Sequence, residues 1–213
     1  NMIRQGSLRV ARDAVFHLND RHLSPHVETI HEYLAARGIP SASINLMVHR
    51  GTFEHRLRFP FDRILGTQTM SGPTVLRNGY FLKGGSLPFP NPFNQYGFSN
   101  EAVEQMTLDL MHASDDLRFI VTYLSDPDKM IHNKGTAVRQ PLYDVDRFIQ
   151  RILDTFPTWE EALRNWTIVV MGDSGQAQVK QDKERALISL PPLLSHYTLR
   201  GLSEHPENAD LAV

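Results

Sequence analysis

The 213 residues carry 22 Lys and Arg against 24 Asp and Glu, with ten histidines, no cysteine and a hydrophobic fraction of 41%. A chain of this size and composition closes its own core without staples. The lack of cysteine excludes disulfides, thiolate metal sites, iron–sulfur clusters and cysteine catalysis, and no apolar run approaches the roughly 18 residues of a membrane span.

In chain order, Leu8 to Phe16 reads as a first strand. Ser24-Pro25 offers an N-cap followed by proline at the first helical position, and Val27, Ile30, Leu34 and Ala35 then share one helix face until Gly38 and Pro40. Ile44 to His49 and Thr52 to Phe59 read as a hairpin turning at Arg50-Gly51. In its second strand Phe53, His55, Leu57 and Phe59 alternate with Glu54, Arg56 and Arg58, as a half-buried strand requires. Thr74 to Arg77 and Tyr80 to Lys83 flank Asn78-Gly79, a type I′ hairpin signal.

Residues 84–98 hold three prolines and four aromatics (Phe89, Phe93, Tyr96 and Phe98) with no regular period, and read as a long loop suited to docking a partner. A helix follows over 99–114 with Val103, Met106, Leu110 and Met111 inward, then a strand over 117–124. Val145, Phe148, Ile149, Ile152 and Leu153 mark a helix ending at Pro157, and Thr158-Trp-Glu-Glu161 fits a capping box. Thr167 to Met171 reads as an apolar strand, and Gln176 to Lys180 alternates as a returning one.

These elements predict an α+β class with an antiparallel or mixed sheet and helices packed on it. The order strand, helix, strand, strand, helix, strand matches a ferredoxin-like core with a hairpin and the Pro-rich loop inserted. One domain over 1–202 is expected, with a basic half (1–91), an acidic half (99–202) and a frayed tail over 203–213. Residues 1–91 hold 11 basic and 6 acidic side chains, and residues 92–213 hold 11 and 18.

The Gly172-Asp173-Ser174-Gly175 run is the first candidate for chemistry. Trypsin-like proteases, Gly-Asp-Ser esterases and haloacid dehalogenase phosphatases contain something like it, and each fails a test. Gln176-Ala177 stands where the protease needs Gly-Pro. Only 38 residues follow Gly175, whereas the esterase block opens its fold. Asp126-Pro-Asp128 and Asp144-Val-Asp146 have the spacing of a phosphatase Asp-x-Asp, but the first reads as a proline-containing turn and the second as a helix start that favours carboxylates. Ordinary turn chemistry is the favoured reading of 172–175. A reactive Ser174 or Asp173 would need a helper, for which His196 is a candidate in sequence.

The interleaved arginines and aromatics of 49–63 raise a second possibility, in which Arg50, His55, Arg56, Arg58 and Arg63 meet the phosphates of RNA or DNA. The histidines do not group at metal-ligand spacing on one face, so no metal and no cofactor is assigned. The leading expectation is a cytoplasmic, non-catalytic binding or assembly protein that self-associates or holds a protein partner, without membrane contact. A hydrolase using the 172–175 turn and a nucleic-acid-associated protein are the alternatives.

Overall fold

The computed structural model describes residues 13–56, 69–77, 99–113, 116–197, 199–200 and 211–212. By their internal contacts they divide into two compact units, one of Val15–Gln176 and one of the first 14 residues with Ala177–Val213.

At the centre of the larger unit lies β1 (Ser41–Ile44), buried at every position. A strand buried on both faces belongs in the middle of a parallel sheet, and β1 has parallel neighbours on both sides. These are β4 (Val75–Arg77) and β5 (Phe119–Thr122), giving the order β4-β1-β5. A second sheet pairs β2 (Phe53–Arg56) with β3 (Thr69–Gly72) in antiparallel register. The class is therefore α+β with mixed sheets, as the sequence predicts. The finer ferredoxin-like order is not established by these strands, since both neighbours of β1 run parallel to it.

The core forms where α2 (Asn100–Ala113) lies on the parallel sheet. Ala42 and Ile44 pack with Val103, Met106, Leu110 and Leu117, bordered by Val75, Ile120 and Leu124. Thr107 Oγ1 and Thr122 Oγ1 meet at 3.0 Å across this contact. Then follow α3 (Asp126–Lys134), α4 (Gln140–Leu153) and α5 (Trp159–Asn165), with α4 in contact with both others and Phe148, Leu153 and Ala162 buried. Arg151 ties α4 to α2 through Glu104 Oε2 at 2.7 Å. The smaller unit contains the short helices α6 (Lys183–Ala186) and α7 (Leu190–Leu193), and a parallel pair of β6 (Leu199–Arg200) with β7 (Leu211–Ala212). No helix among the described residues is long and apolar enough to cross a membrane.

Five expectations are corrected. Asp13–Phe16, expected at the end of a first strand, belong to a π-helical segment, Asp13–His22. The first α-helix, α1 (Ile30–Ala35), starts five residues later than its Ser24-Pro25 signal. A complete capping box, Thr29 with Glu32, nucleates it there, and the preceding carbonyls of Leu23, Ser24 and Val27 accept from the guanidinium of Arg50 instead of propagating a helix.

The 44–59 hairpin does not form. Asn45 leaves β1 at a φ of 61°, and Asn19 Oδ1 accepts from the backbone N–H groups of His49 and Arg50 at 2.7 and 3.0 Å, which holds them out of any ladder. Gly51 has a different use from the expected turn: a Cβ there would stand 2.2 Å from the carbonyl oxygen of Gly72, so the close approach of the two segments requires glycine. Finally, Thr167–Met171 forms no strand, with Val169, Val170 and Met171 at 75%, 63% and 83% exposure. Gln176–Lys180 likewise forms no returning strand. The second half of the Asn78-Gly79 hairpin and the loop bearing Phe89, Phe93, Tyr96 and Phe98 lie outside the described residues.

Candidate active site

Because β4, β1 and β5 are parallel, their carboxyl ends form one edge, where open α/β sheets bind ligands. Tyr123 continues the ladder by donating to Ile44 O at 3.0 Å, and Asn45 Nδ2 donates to Tyr123 O at 3.3 Å. The chain then reaches Ser125, the buried N-cap of α3. Asn100 and Asp126 cap each other reciprocally. Asn100 N–H donates to Asp126 Oδ2 at 3.3 Å, and Asp126 N–H donates to Asn100 Oδ1 at 3.1 Å. The amino ends of α2 and α3 therefore meet at this edge, and with them the positive ends of two helix dipoles.

On α3, Pro127 occupies a first-turn position, where its missing N–H is harmless, and Asp128 and His132 follow at i and i+4 on one face. His132 Nε2 stands 3.3 Å from Asp128 Oδ1, and the His132 side chain is 65% exposed. The same oxygen accepts from Gln176 Nε2 at 2.7 Å. One side-chain bond thus ties the end of the 172–176 segment to α3. Asp173 and Ser174 are both solvent-exposed, and the segment has no backbone strain, for neither Gly172 nor Gly175 has a positive φ.

Ser174 makes no hydrogen bond to a histidine among the described residues, and His196 is an exposed residue of the smaller unit whereas Ser174 and Asp173 belong to the larger. The imidazole that the structure attaches to the 172–176 segment, through Asp128 and Gln176, is His132. Sequence reasoning did not group Asp128, His132 and Gln176, which the structure brings together. Their signal was the Asp126-Pro-Asp128 run, which sequence reasoning sets aside as a turn, together with a histidine four residues after its second aspartate.

The phosphate-contacting set fares differently. Arg50 is no surface cation. It is buried, with Nε and Nη2 on the two Glu32 carboxylate oxygens at 2.8 and 3.1 Å and Nη1 on the carbonyls of Leu23 and Ser24. Burial alone would raise the Glu32 carboxyl, but hydrogen bonds from Arg50 and Thr29 outweigh it and hold the group below its ordinary pKa. His55 Nε2 donates to Pro73 O at 2.7 Å, and Arg56 is exposed and paired with Glu54. Phe53, expected on a core face, is 46% exposed. Arg58 and Arg63 lie outside the described residues.

Two groups of the kind that bind metals, the Asp128 carboxylate and the His132 imidazole, stand side by side. Among the described residues no cluster of three His, Cys, Asp or Glu side chains is close enough to hold an ion.

The carboxyl edge of a parallel sheet, where two helix amino termini also meet, is a common place for ligands, and Asp128 in the first turn of α3 stands near it. The family model for type I phosphodiesterase / nucleotide pyrophosphatase matches residues 10–201, and the chain belongs to this family. No curated protein and no solved structure matches it. Membership in a family of hydrolases overturns the expectation of a non-catalytic binding and assembly protein and favours the hydrolase alternative.

Proposed function

We propose that the protein hydrolyses phosphodiester or phosphoanhydride bonds at the carboxyl edge of its parallel sheet. The observation that carries this reading is the convergence on Asp128 Oδ1 of His132 Nε2 and Gln176 Nε2 within a chain of this family. Hydrolysis requires an attacking oxygen to form a bond to phosphorus, a P–O bond to break and a proton to reach the departing oxygen.

In this reading the roles derive from contact and exposure. His132 is the proton-transfer group, since its ring is largely open to ligand while Asp128 orients it. Asp128 uses one oxygen for His132 and Gln176, which leaves Oδ2 to face water or substrate. Gln176 is a positioning residue that brings Asp173 and Ser174 to the site. The helix amino termini supply N–H dipoles where the charge of a phosphoryl group develops.

The test is steady-state kinetics on bis(p-nitrophenyl) phosphate and on a nucleotide with a pyrophosphate linkage. Asp128→Asn and His132→Gln are expected to lower kcat/KM by about 10²- to 10⁴-fold, the range for loss of positioned acid–base groups, without a change in melting temperature. Wild-type inactivity on both substrates, or full activity in both variants, would sink the reading.

A further inference from the structure

The two helices that meet at the carboxyl edge are capped in different ways. α2 has a local cap, for the Ala102 N–H donates to Ser99 Oγ at 3.4 Å and the Val103 N–H to Ser99 O at 3.0 Å. α3 lacks one. Its N-cap residue, Ser125, makes no side-chain capping bond, and the Ser125 hydroxyl, on a residue 1% exposed, has no hydrogen-bond partner. Serine in that place ordinarily accepts from an N–H of the first turn. Here Pro127 brings no N–H to the first turn, and the N–H of Asp126 is taken by Asn100 Oδ1 at 3.1 Å, an acceptor that lies 26 residues earlier in the chain and belongs to α2.

A cap supplied by a helix's own N-cap residue satisfies an orphan donor and moves with the helix. A cap supplied by another helix satisfies the same donor and also fixes where the first turn stands. The contact is made in both directions, since the Asn100 N–H donates to Asp126 Oδ2 at 3.3 Å. Its reference is the core: Asn100 is 7% exposed, and α2 beyond it packs on Ala42 and Ile44 of β1 through Val103, Met106 and Leu110. Asp128 shares the first turn of α3 with Asp126. One of its oxygens stands 3.3 Å from His132 Nε2 and accepts from Gln176 Nε2 at 2.7 Å. Asn100 therefore reaches this group through the backbone of Asp126.

We infer that Asn100 is a positioning residue of the candidate active site, whose side-chain carbonyl, by capping α3 from α2, sets the place of Asp128 and with it the contact to His132. The effect on rate rests on the hydrolase reading above; the effect on geometry does not. Asparagine suits the task because its side chain accepts from Asp126 while its backbone N–H donates back, and alanine would keep only the second bond.

The experiment compares the wild type with Asn100→Ala and with the exchange Asn100→Asp/Asp126→Asn, which keeps an acceptor oxygen on each side. It reads kinetics on bis(p-nitrophenyl) phosphate and the NMR resonances of the His132 ring at fixed pH, assigned by their absence in His132→Gln. Asn100→Ala is expected to lower kcat by about 10- to 100-fold, the size of a misplacement of about 1 Å, with little change in KM. It is also expected to move the His132 ring resonances toward their positions in Asp128→Asn, and the exchange to restore both. In an Asp128→Asn background, Asn100→Ala should cost less than about twofold more, since a residue acting through Asp128 has nothing left to position, whereas one that only supports the fold would cost its full factor again. Unmoved ring resonances in folded Asn100→Ala, or full additivity with Asp128→Asn, overturn the inference. Should Asn100→Ala not fold, the exchange decides alone, since a folded exchange variant without the wild-type His132 resonances overturns it. If the wild type is inactive, yet Asn100→Ala moves the His132 ring as Asp128→Asn does, the positioning role stands and the hydrolase reading falls.

Discussion

Replacing Arg50 with methionine separates a structural arginine from a ligand-binding one. The substitution keeps the aliphatic stem and removes a charge whose side chain is 10% exposed, facing a Glu32 carboxylate that is 25% exposed. Breaking a buried pair by removing one partner typically costs about 3–5 kcal/mol. Glu32 retains some water and two Thr29 contacts, the Thr29 N–H at 2.8 Å and its own N–H to Thr29 Oγ1 at 3.2 Å, so the loss belongs near the low end, about 3 kcal/mol. For a domain of this size each kcal/mol shifts the melting temperature by about 2–4 °C, so Arg50→Met is expected to melt roughly 6–12 °C lower. Urea denaturation followed by circular dichroism measures the loss of stability. A cycle with Glu32→Gln is expected to give a coupling above about 1 kcal/mol, because the two side chains share a bidentate contact. A loss under about 0.5 kcal/mol, or unchanged stability with a salt-dependent loss of oligonucleotide binding, would refute the structural assignment and return Arg50 to the phosphate-contacting set.

Two further outcomes are expected from buried or tethered groups. Burial, reinforced by the neighbouring His49, lowers the pKa of His31 to about 4, with Nδ1 3.0 Å from Ser41 Oγ. The unfolded chain takes up a proton near pH 6.5 that the folded one refuses, so stability is complete above that pH and is lost as pH falls toward 4, by about 3 kcal/mol in all. His49, also lowered chiefly by burial, adds in the same direction. His31→Gln should flatten the profile of urea midpoints between about pH 7.5 and 4.5, and an unchanged slope would assign the acid sensitivity elsewhere. At the site, Gln176→Leu cuts the bond to Asp128 and is expected to lower kcat/KM by about tenfold while speeding amide exchange over 172–176. Wild-type kinetics and exchange in that variant would show that the tether does not position the segment.

The parts of the fold legible in the sequence are those that local chemistry decides. The α2 helix falls within one residue of its expected ends because Val103, Met106 and Leu110 repeat at the helical period against one sheet, and all three are buried. Thr158 caps α5 as its sequence predicts, accepting from the Glu161 N–H. Contacts distant in sequence were not legible. Ser24-Pro25 is a sound helix start on its own, but Arg50, more than twenty residues away, takes the carbonyls that the first turn would use. The period-two pattern of 53–59 likewise identifies β2 without identifying its partner, because alternation reports a strand and not which strand it pairs with.

The site was illegible for a related reason. Asp-Pro-Asp reads as a turn when its surroundings are a proline and a strand end, and both readings of that tripeptide agree that proline interrupts the residues before it. They differ over the residues after it. Proline at the first turn of a helix is favoured, since its φ is already helical, and a carboxylate three or four residues before a histidine then faces it on the same side. Lys129 N–H donates to Ser125 O at 3.3 Å, and Gly135, at a φ of 85°, terminates the helix after His132. That glycine stop, with Met130 and Ile131 between it and the proline, was the information that favoured a helix over a turn. Once Asp126-Pro-Asp128 is the beginning of a helix that follows a parallel strand, it lies at the carboxyl edge by topology alone, with Asp128 and His132 one turn apart on one face.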